Sequence, residues 1–123
     1  MTDDRDLYEL ARAAAARAYA PYSGLHVGAA VLTRDGRTIT GANVENASYG
    51  LSLCAERSAL TRAAAEGCGP GRIEAVAVTA PPCGACRQWL LEFGATRVLY
   101  PHQGELVVRN PSELLPDAFW IAE

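Results

Sequence analysis

Three thiols and one carboxylate, in the stretches Cys54-Ala55-Glu56-Arg57 and Pro82-Cys83-Gly84-Ala85-Cys86, are the residues best suited to chemistry. Cys83 and Cys86 have C-x-x-C spacing, which at a helix start turns two sulfurs toward one metal ion. Cys54 offers a third thiolate from a second helix. Three protein ligands on a tetrahedral zinc leave the fourth position to water, the pattern of catalytic rather than structural sites. Zinc brings the pKa of such a water to about 7, so hydroxide forms without a strong base. Glu56 lies two residues past Cys54, within reach of that water without binding the metal, and is the candidate proton carrier. Three thiolates make the centre net negative, which opposes this acidity. The helix N-termini, each worth roughly half a positive charge, offset part of that excess. Arg57, which can donate to cysteine sulfurs and keeps its charge at any pH, offsets more.

Each piece has a plainer reading by itself. A C-x-x-C pair also serves redox chemistry or half of a structural zinc site. Cys54 alone is a small buried residue, and Glu56 and Arg57 alone are helix-surface charges. A fourth protein ligand would close the centre, and Cys68, His26 and His102 are the candidates. Cys68, in a Gly-Cys-Gly loop, reads as a spare thiol, and the histidines are isolated. In combination, the ordered stretches match the signature of zinc deaminases that act on nucleobases.

For these groups to meet, two helices must aim their N-termini at one point. Upstream, Asp3 or Asp4 can cap a helix over residues 3–19, with Leu7, Leu10, Ala11, Ala14 and Ala18 on one face. Its alanine-rich body suits close packing on a sheet, and Pro21 ends it. Residues 27–33 read as a buried strand, Asp35-Gly36 as a hairpin turn, and residues 37–44 as the partner strand. The helix with Glu56 is expected over residues 53–66, ended by Gly67, and the helix with Cys86 over residues 84–93, stopped by Gly94. Residues 73–79 form a strand between them, and residues 98–100 and 105–109 supply two more. Ser112 is the expected cap of a last turn through Leu115. Helices between successive strands favour parallel pairing after the opening hairpin, giving an α/β fold in one domain, residues 1–123.

The totals narrow the partners. A chain of 123 residues, half hydrophobic and a fifth charged, is an ordinary globular domain. A net charge of −3 implies no basic face for nucleic acid and suits a small, weakly polar substrate. No apolar run reaches membrane-spanning length, and the start is acidic where a signal peptide would be basic, so a cytoplasmic location is expected. Four cysteines in that setting point to metal or catalysis before disulfides.

The sequence resembles the small, homotetrameric, zinc-dependent cytidine deaminases. The likeness runs in order through Pro21-Tyr22-Ser23, Val27-Gly28-Ala29-Ala30, residues 41–48, Cys54-Ala55-Glu56-Arg57, residues 82–88 and Leu114-Leu115-Pro116. It implies a three-layer α-β-α sandwich around a mixed five-stranded sheet, one Zn2+ per chain, and a homotetramer whose sites are completed across subunits. It also implies substrate contacts. Asn43 and Glu45, in Asn43-Val44-Glu45, would hold the ribose hydroxyls, although alone they read as a polar turn at a strand end. The backbone of Ala55 would meet the pyrimidine edge, and the carbonyl of Pro81 would lie near the departing ammonia. Tyr49 and Phe119 fall at positions that complete a site from a neighbouring subunit; ordinary packing is their alternative.

Two departures from that family stand beside the pocket. Leu25 occupies the place of an aromatic residue commonly stacked on the base, and the connector between residues 73–79 and Cys83 is short. The implied reaction is hydrolytic deamination of cytidine and 2'-deoxycytidine to the uridine forms, with no nucleic-acid or membrane partner. A modified cytosine nucleoside or nucleoside antibiotic is the alternative substrate, favoured by those same departures.

Overall fold

The computed structural model describes residues 2–121. Helix α1 spans Asp4–Ala14, with Asp3 as its cap: the Asp3 carboxylate accepts from the Asp6 N–H at 2.8 Å. Leu7, Ala11 and Ala14 are buried, whereas Leu10, expected on the same face, stays 37 % exposed. A short 3-10 turn, Ala15–Arg17, ends the helix before residue 19. Strands β1 (Gly28–Thr33) and β2 (Thr38–Ala42) form the expected hairpin, turned at Gly36 with φ +91°.

The chain then passes through helix α2 (Ala55–Ala65) to strand β3 (Ile73–Val78), and through helix α3 (Gly84–Phe93) to strand β4 (Arg97–His102). A turn at Gln103 and Gly104, both at positive φ, returns it along strand β5 (Glu105–Arg109). The sheet order is β2-β1-β3-β4-β5. The expectation of parallel pairing holds for β3 with β4 and fails for β3 with β1, which are antiparallel. Helix α2 carries the chain over β1, so β3 runs the same way as β2 but lands on the far side of β1. Helix α4 (Pro111–Leu114) is the last helix of the described residues. Asn110, not the expected Ser112, caps it: the Asn110 side chain accepts from Ser112 N, and Glu113 reaches back to the Asn110 N–H at 2.7 Å. Asparagine directly before Pro111 wins because proline suits the first helical position.

The sheet separates two unequal layers. Val76, Val78, Val98 and Tyr100 pack with Leu60, Leu90 and Phe93 of α2 and α3. Ala30, Ala75 and Ala77 meet Leu7 and Ala11 of α1 on the other face. The alternation along β3 sends valines one way and alanines the other, so α1 can approach closely. Two glycines make the helix contacts possible. A Cβ on Gly28 would lie 1.9 Å from Ala11 O, and one on Gly41 would lie 2.5 Å from Ala59 N. The second contact seats α2 on β2 and so sets where Cys54 and Glu56 emerge.

Candidate active site

Cys54 is the N-cap of α2 and Cys83 the N-cap of α3, and neither uses its side chain for capping. Both sulfurs are therefore free to face each other across the two helix starts. Cys86 lies in the first turn of α3 and is buried. The three sulfurs lie within 4.8 Å of one another, with Cys54 and Cys83 3.8 Å apart. Zinc–sulfur bonds of about 2.3 Å at a tetrahedral angle need sulfurs about 3.8 Å apart, so the set fits zinc. No other His, Cys, Asp or Glu among the described residues joins the cluster. Cys68, one of the candidate fourth ligands, is buried elsewhere and accepts from Arg37 at 2.6 Å.

The neighbouring Cys86 thiol holds the Cys54 thiol down to about 5, with Arg57 adding to the effect, and Cys86 is raised in turn. Cysteines bind metal as thiolates, so metal binding is coupled to proton release. Arg57 reaches Cys54 Sγ and the carbonyl of Ser52, both at 3.4 Å, while its Nε is buried without a partner. A buried unpaired donor is costly, so the guanidinium sits where the charge of the sulfurs draws it rather than where hydrogen bonding is complete.

Glu56 follows in the first turn of α2 and is only 3 % exposed. Burial pushes its carboxyl up to about 7, and the Cys54 charge adds to the rise. A buried carboxyl beside the sulfurs is placed to take a proton and to give it back.

Leu25, Asn43, Cys54, Ala55, Glu56, Pro81 and Cys83 line one cavity of about 200 Å³, together with Val27 and Ala80. Sequence reasoning named all but the last two. In the sequence Val27 reads as the start of a strand and as part of the Val27-Gly28-Ala29-Ala30 run, and Ala80 as part of the connector. Glu45 and Tyr49 line a separate, larger cavity of about 370 Å³ with Tyr22, Ser23 and Ser52. The smaller cavity is the chemical one, because Cys54, Cys83 and Glu56 line it. Phe119 lines neither; it is 73 % exposed, and its carbonyl accepts from Gln88 at 3.3 Å.

Asn43 and Glu45, both half-buried, are engaged with the chain. Asn43 accepts from Val27 N at 2.8 Å and donates to Leu25 O at 2.9 Å. Glu45 accepts from the N–H groups of Tyr22 and Ser23 and from the Ser23 hydroxyl, which holds its carboxyl below the ordinary range. A carboxylate has about four acceptor sites, so capacity for a further donor is left. Arg87, unremarked in the sequence, donates to the carbonyls of Pro82 at 2.9 Å and Leu114 at 3.1 Å, tying the loop before Cys83 to α4.

A three-thiolate zinc site on paired helix starts, with a buried carboxylate beside it, defines the class of hydrolytic zinc enzymes with an open coordination position. The chain belongs to the family described as the cytidine and deoxycytidylate deaminase zinc-binding region, whose profile matches residues 1–102. It is 50 % identical to a cytidine deaminase of Halalkalibacterium halodurans over 111 residues, 83 % of each chain. It is 49 % identical to a cytidine deaminase of Mycobacterium tuberculosis, over 86 % of this chain and 81 % of that one. The crystal structure of cytidine deaminase from Burkholderia pseudomallei superposes with a TM-score of 0.88 at 48 % identity, covering 95 % of this chain and 99 % of that one.

Proposed function

We propose that this chain hydrolyses the exocyclic amine of cytidine and of 2'-deoxycytidine, releasing ammonia and the uridine form. The observation that carries the reading is Glu56, buried in the same cavity as Cys54 and Cys83. Cys54, Cys83 and Cys86 would hold zinc, whose Lewis acidity makes water a nucleophile near neutral pH. Glu56 takes the proton from the water that attacks C4 of the ring and delivers it to ring nitrogen N3. The same carboxylate then takes the proton of the new C4 hydroxyl and passes it to the amine as C4=O forms and the C4–N bond breaks, so it is regenerated when ammonia leaves. Ala55 offers backbone groups to the pyrimidine edge, and the Pro81 carbonyl accepts from the departing amine. Leu25 and Val27 form an aliphatic wall for the base. Asn43 and Glu45 contribute their remaining hydrogen-bonding capacity to the ribose hydroxyls, and Arg57 tempers the charge of the sulfurs.

The assembly we propose is a homotetramer with sites completed across subunits. Tyr49, Leu51 and Phe119 are 75 %, 71 % and 73 % exposed, more apolar surface than a lone subunit gains from showing. A partner's Tyr49 and Phe119 would cover the substrate. The proposed location is the cytoplasm; no helix among the described residues is long and apolar enough to cross a membrane.

The test is the ultraviolet change of cytidine, 2'-deoxycytidine and free cytosine, with protein at a verified one zinc per chain. Turnover of both nucleosides but not the base is the expected result. No turnover with zinc bound would overturn it. A second reading, a cytosine nucleoside with a substituent on the base, is favoured by Leu25, which is 64 % exposed and leaves that side of the cavity open. Faster turnover of 5-methylcytidine than of cytidine would select it.

A further inference from the structure

The loop over residues 19–27 supplies one wall of the cavity through Leu25 and Val27, and residues 43–45 grip it. Tyr19 N donates to Asn43 O at 3.0 Å, Glu45 N to Tyr19 O at 2.8 Å, and Asn43 N to Val27 O at 3.2 Å. The side chains of Asn43 and Glu45 extend the same grip, the first to Leu25 and Val27, the second to Tyr22 and Ser23. One hydroxyl joins the two holds. Ser23 Oγ donates to Glu45 Oε2 and accepts from the Leu25 N–H at 3.0 Å.

Packing does not set the direction of Leu25. Its neighbour Gly24 sits at φ +73°, with nothing near the position a Cβ would take, and Leu25 itself is largely exposed. What remains to orient it is hydrogen bonding of its backbone, through Asn43 on the carbonyl and Ser23 on the amide. A hydroxyl has one proton and two lone pairs, so Ser23 commits its proton to the carboxylate and a lone pair to Leu25.

We propose that Ser23 is a positioning residue for substrate binding, setting where Leu25 stands in the cavity wall by linking its backbone to the Glu45 carboxylate. The proposal rests on the reading that this cavity takes a cytosine nucleoside. Ser23 does not line the cavity of the sulfurs and Glu56, so it acts through Leu25 and Glu45 and not on the reacting atoms. Losing its hydroxyl frees the Leu25 amide and one Glu45 oxygen. Binding of the substrate and of the transition state weaken alike, and such a loss raises KM while sparing kcat.

The test uses zinc-loaded, full-length protein carrying Ser23→Ala, Ser23→Thr, Leu25→Ala, or Ser23→Ala with Leu25→Ala. Steady-state kinetics on cytidine and hydrogen exchange of the Leu25 amide are the readouts. Ser23→Ala should raise KM roughly tenfold, the size of one charge-assisted hydrogen bond, and move kcat less than about threefold. Ser23→Thr, which keeps the hydroxyl, should recover most of that KM. In the Leu25→Ala background the effect of Ser23→Ala should shrink by more than half, and in Ser23→Ala the Leu25 amide should exchange several-fold faster. An unchanged KM, an undiminished effect in the Leu25→Ala background, or an unchanged Leu25 exchange would each overturn the proposal. Should Ser23→Ala not fold, Ser23→Cys takes its place in the same cycle. If the wild type leaves cytidine untouched, the functional reading fails by itself, and Leu25 exchange, which needs no substrate, still decides the link through Ser23.

Discussion

Around the sulfurs, the cysteines and Glu56 stand at helix starts, Glu56 and Cys86 on the same face that packs into the core, whereas the wall and rim around Leu25, Glu45 and Tyr49 are loop and a short 3-10 turn held by hydrogen bonds. Cys54, Glu56 and Cys86 inherit their positions from Ala59, Leu60 and Leu90, which are fully buried. Leu25 and Tyr49 have no such anchor, at 64 % and 75 % exposure. The difference separates two jobs. Chemistry needs groups fixed to a fraction of an ångström, and a packed core supplies that rigidity. Reading a substrate tolerates, and often uses, segments that adjust or are covered by another subunit.

Breaking the core end should have the largest effects. Cys83→Ala should drop zinc well below one per chain by atomic absorption and bring cytidine turnover to background. Glu56→Gln should keep zinc and the melting curve yet lower kcat on the order of 10²–10⁴-fold, the range for a lost general acid–base group. A Gln variant of near-normal activity would remove Glu56 from the mechanism. Arg57→Gln should weaken zinc binding on the order of 10–100-fold in competition with a chelator, as loss of a supporting group around a metal does.

Gly41→Ala sharpens the comparison from a distance, because it touches no site residue. The added Cβ would fall 2.5 Å from the backbone of Ala59, so α2 must shift. Overpacking of this kind costs about 1–3 kcal/mol, visible as a lower Tm, and kcat should fall with it because α2 carries Cys54 and Glu56. The mildest change is expected at the rim. Glu45→Gln should raise KM for cytidine roughly tenfold with kcat nearly kept, about one charged hydrogen bond's worth. A matching fall in kcat would mean that the rim, too, acts in the transition state.

Legibility in the sequence followed the same division. The sulfurs and Glu56 could be read because their mutual geometry is local: C-x-x-C and Cys-x-Glu each lie within a single helical turn, and Gly94 ends α3 in the left-handed conformation that its position suggested. The grip of Asn43 and Glu45 on residues 19–27 could not, since a polar turn looks the same whether it faces a ligand or a loop. Arg87 was hidden for a similar reason, its carbonyl acceptors lying 5 and 27 residues away.

By itself, then, the sequence determined the main helices and strands, their order, and the three cysteines and one glutamate that meet at the two helix starts, all of which depend on spacing within a few residues. Tertiary structure decided that β3 pairs antiparallel with β1, that Asn110 rather than Ser112 caps α4, and that Ser23, Asn43 and Glu45 form one hydrogen-bonded brace for Leu25. Those outcomes depend on which edges, faces and acceptors remain free once the rest has packed. No local period in the chain records that.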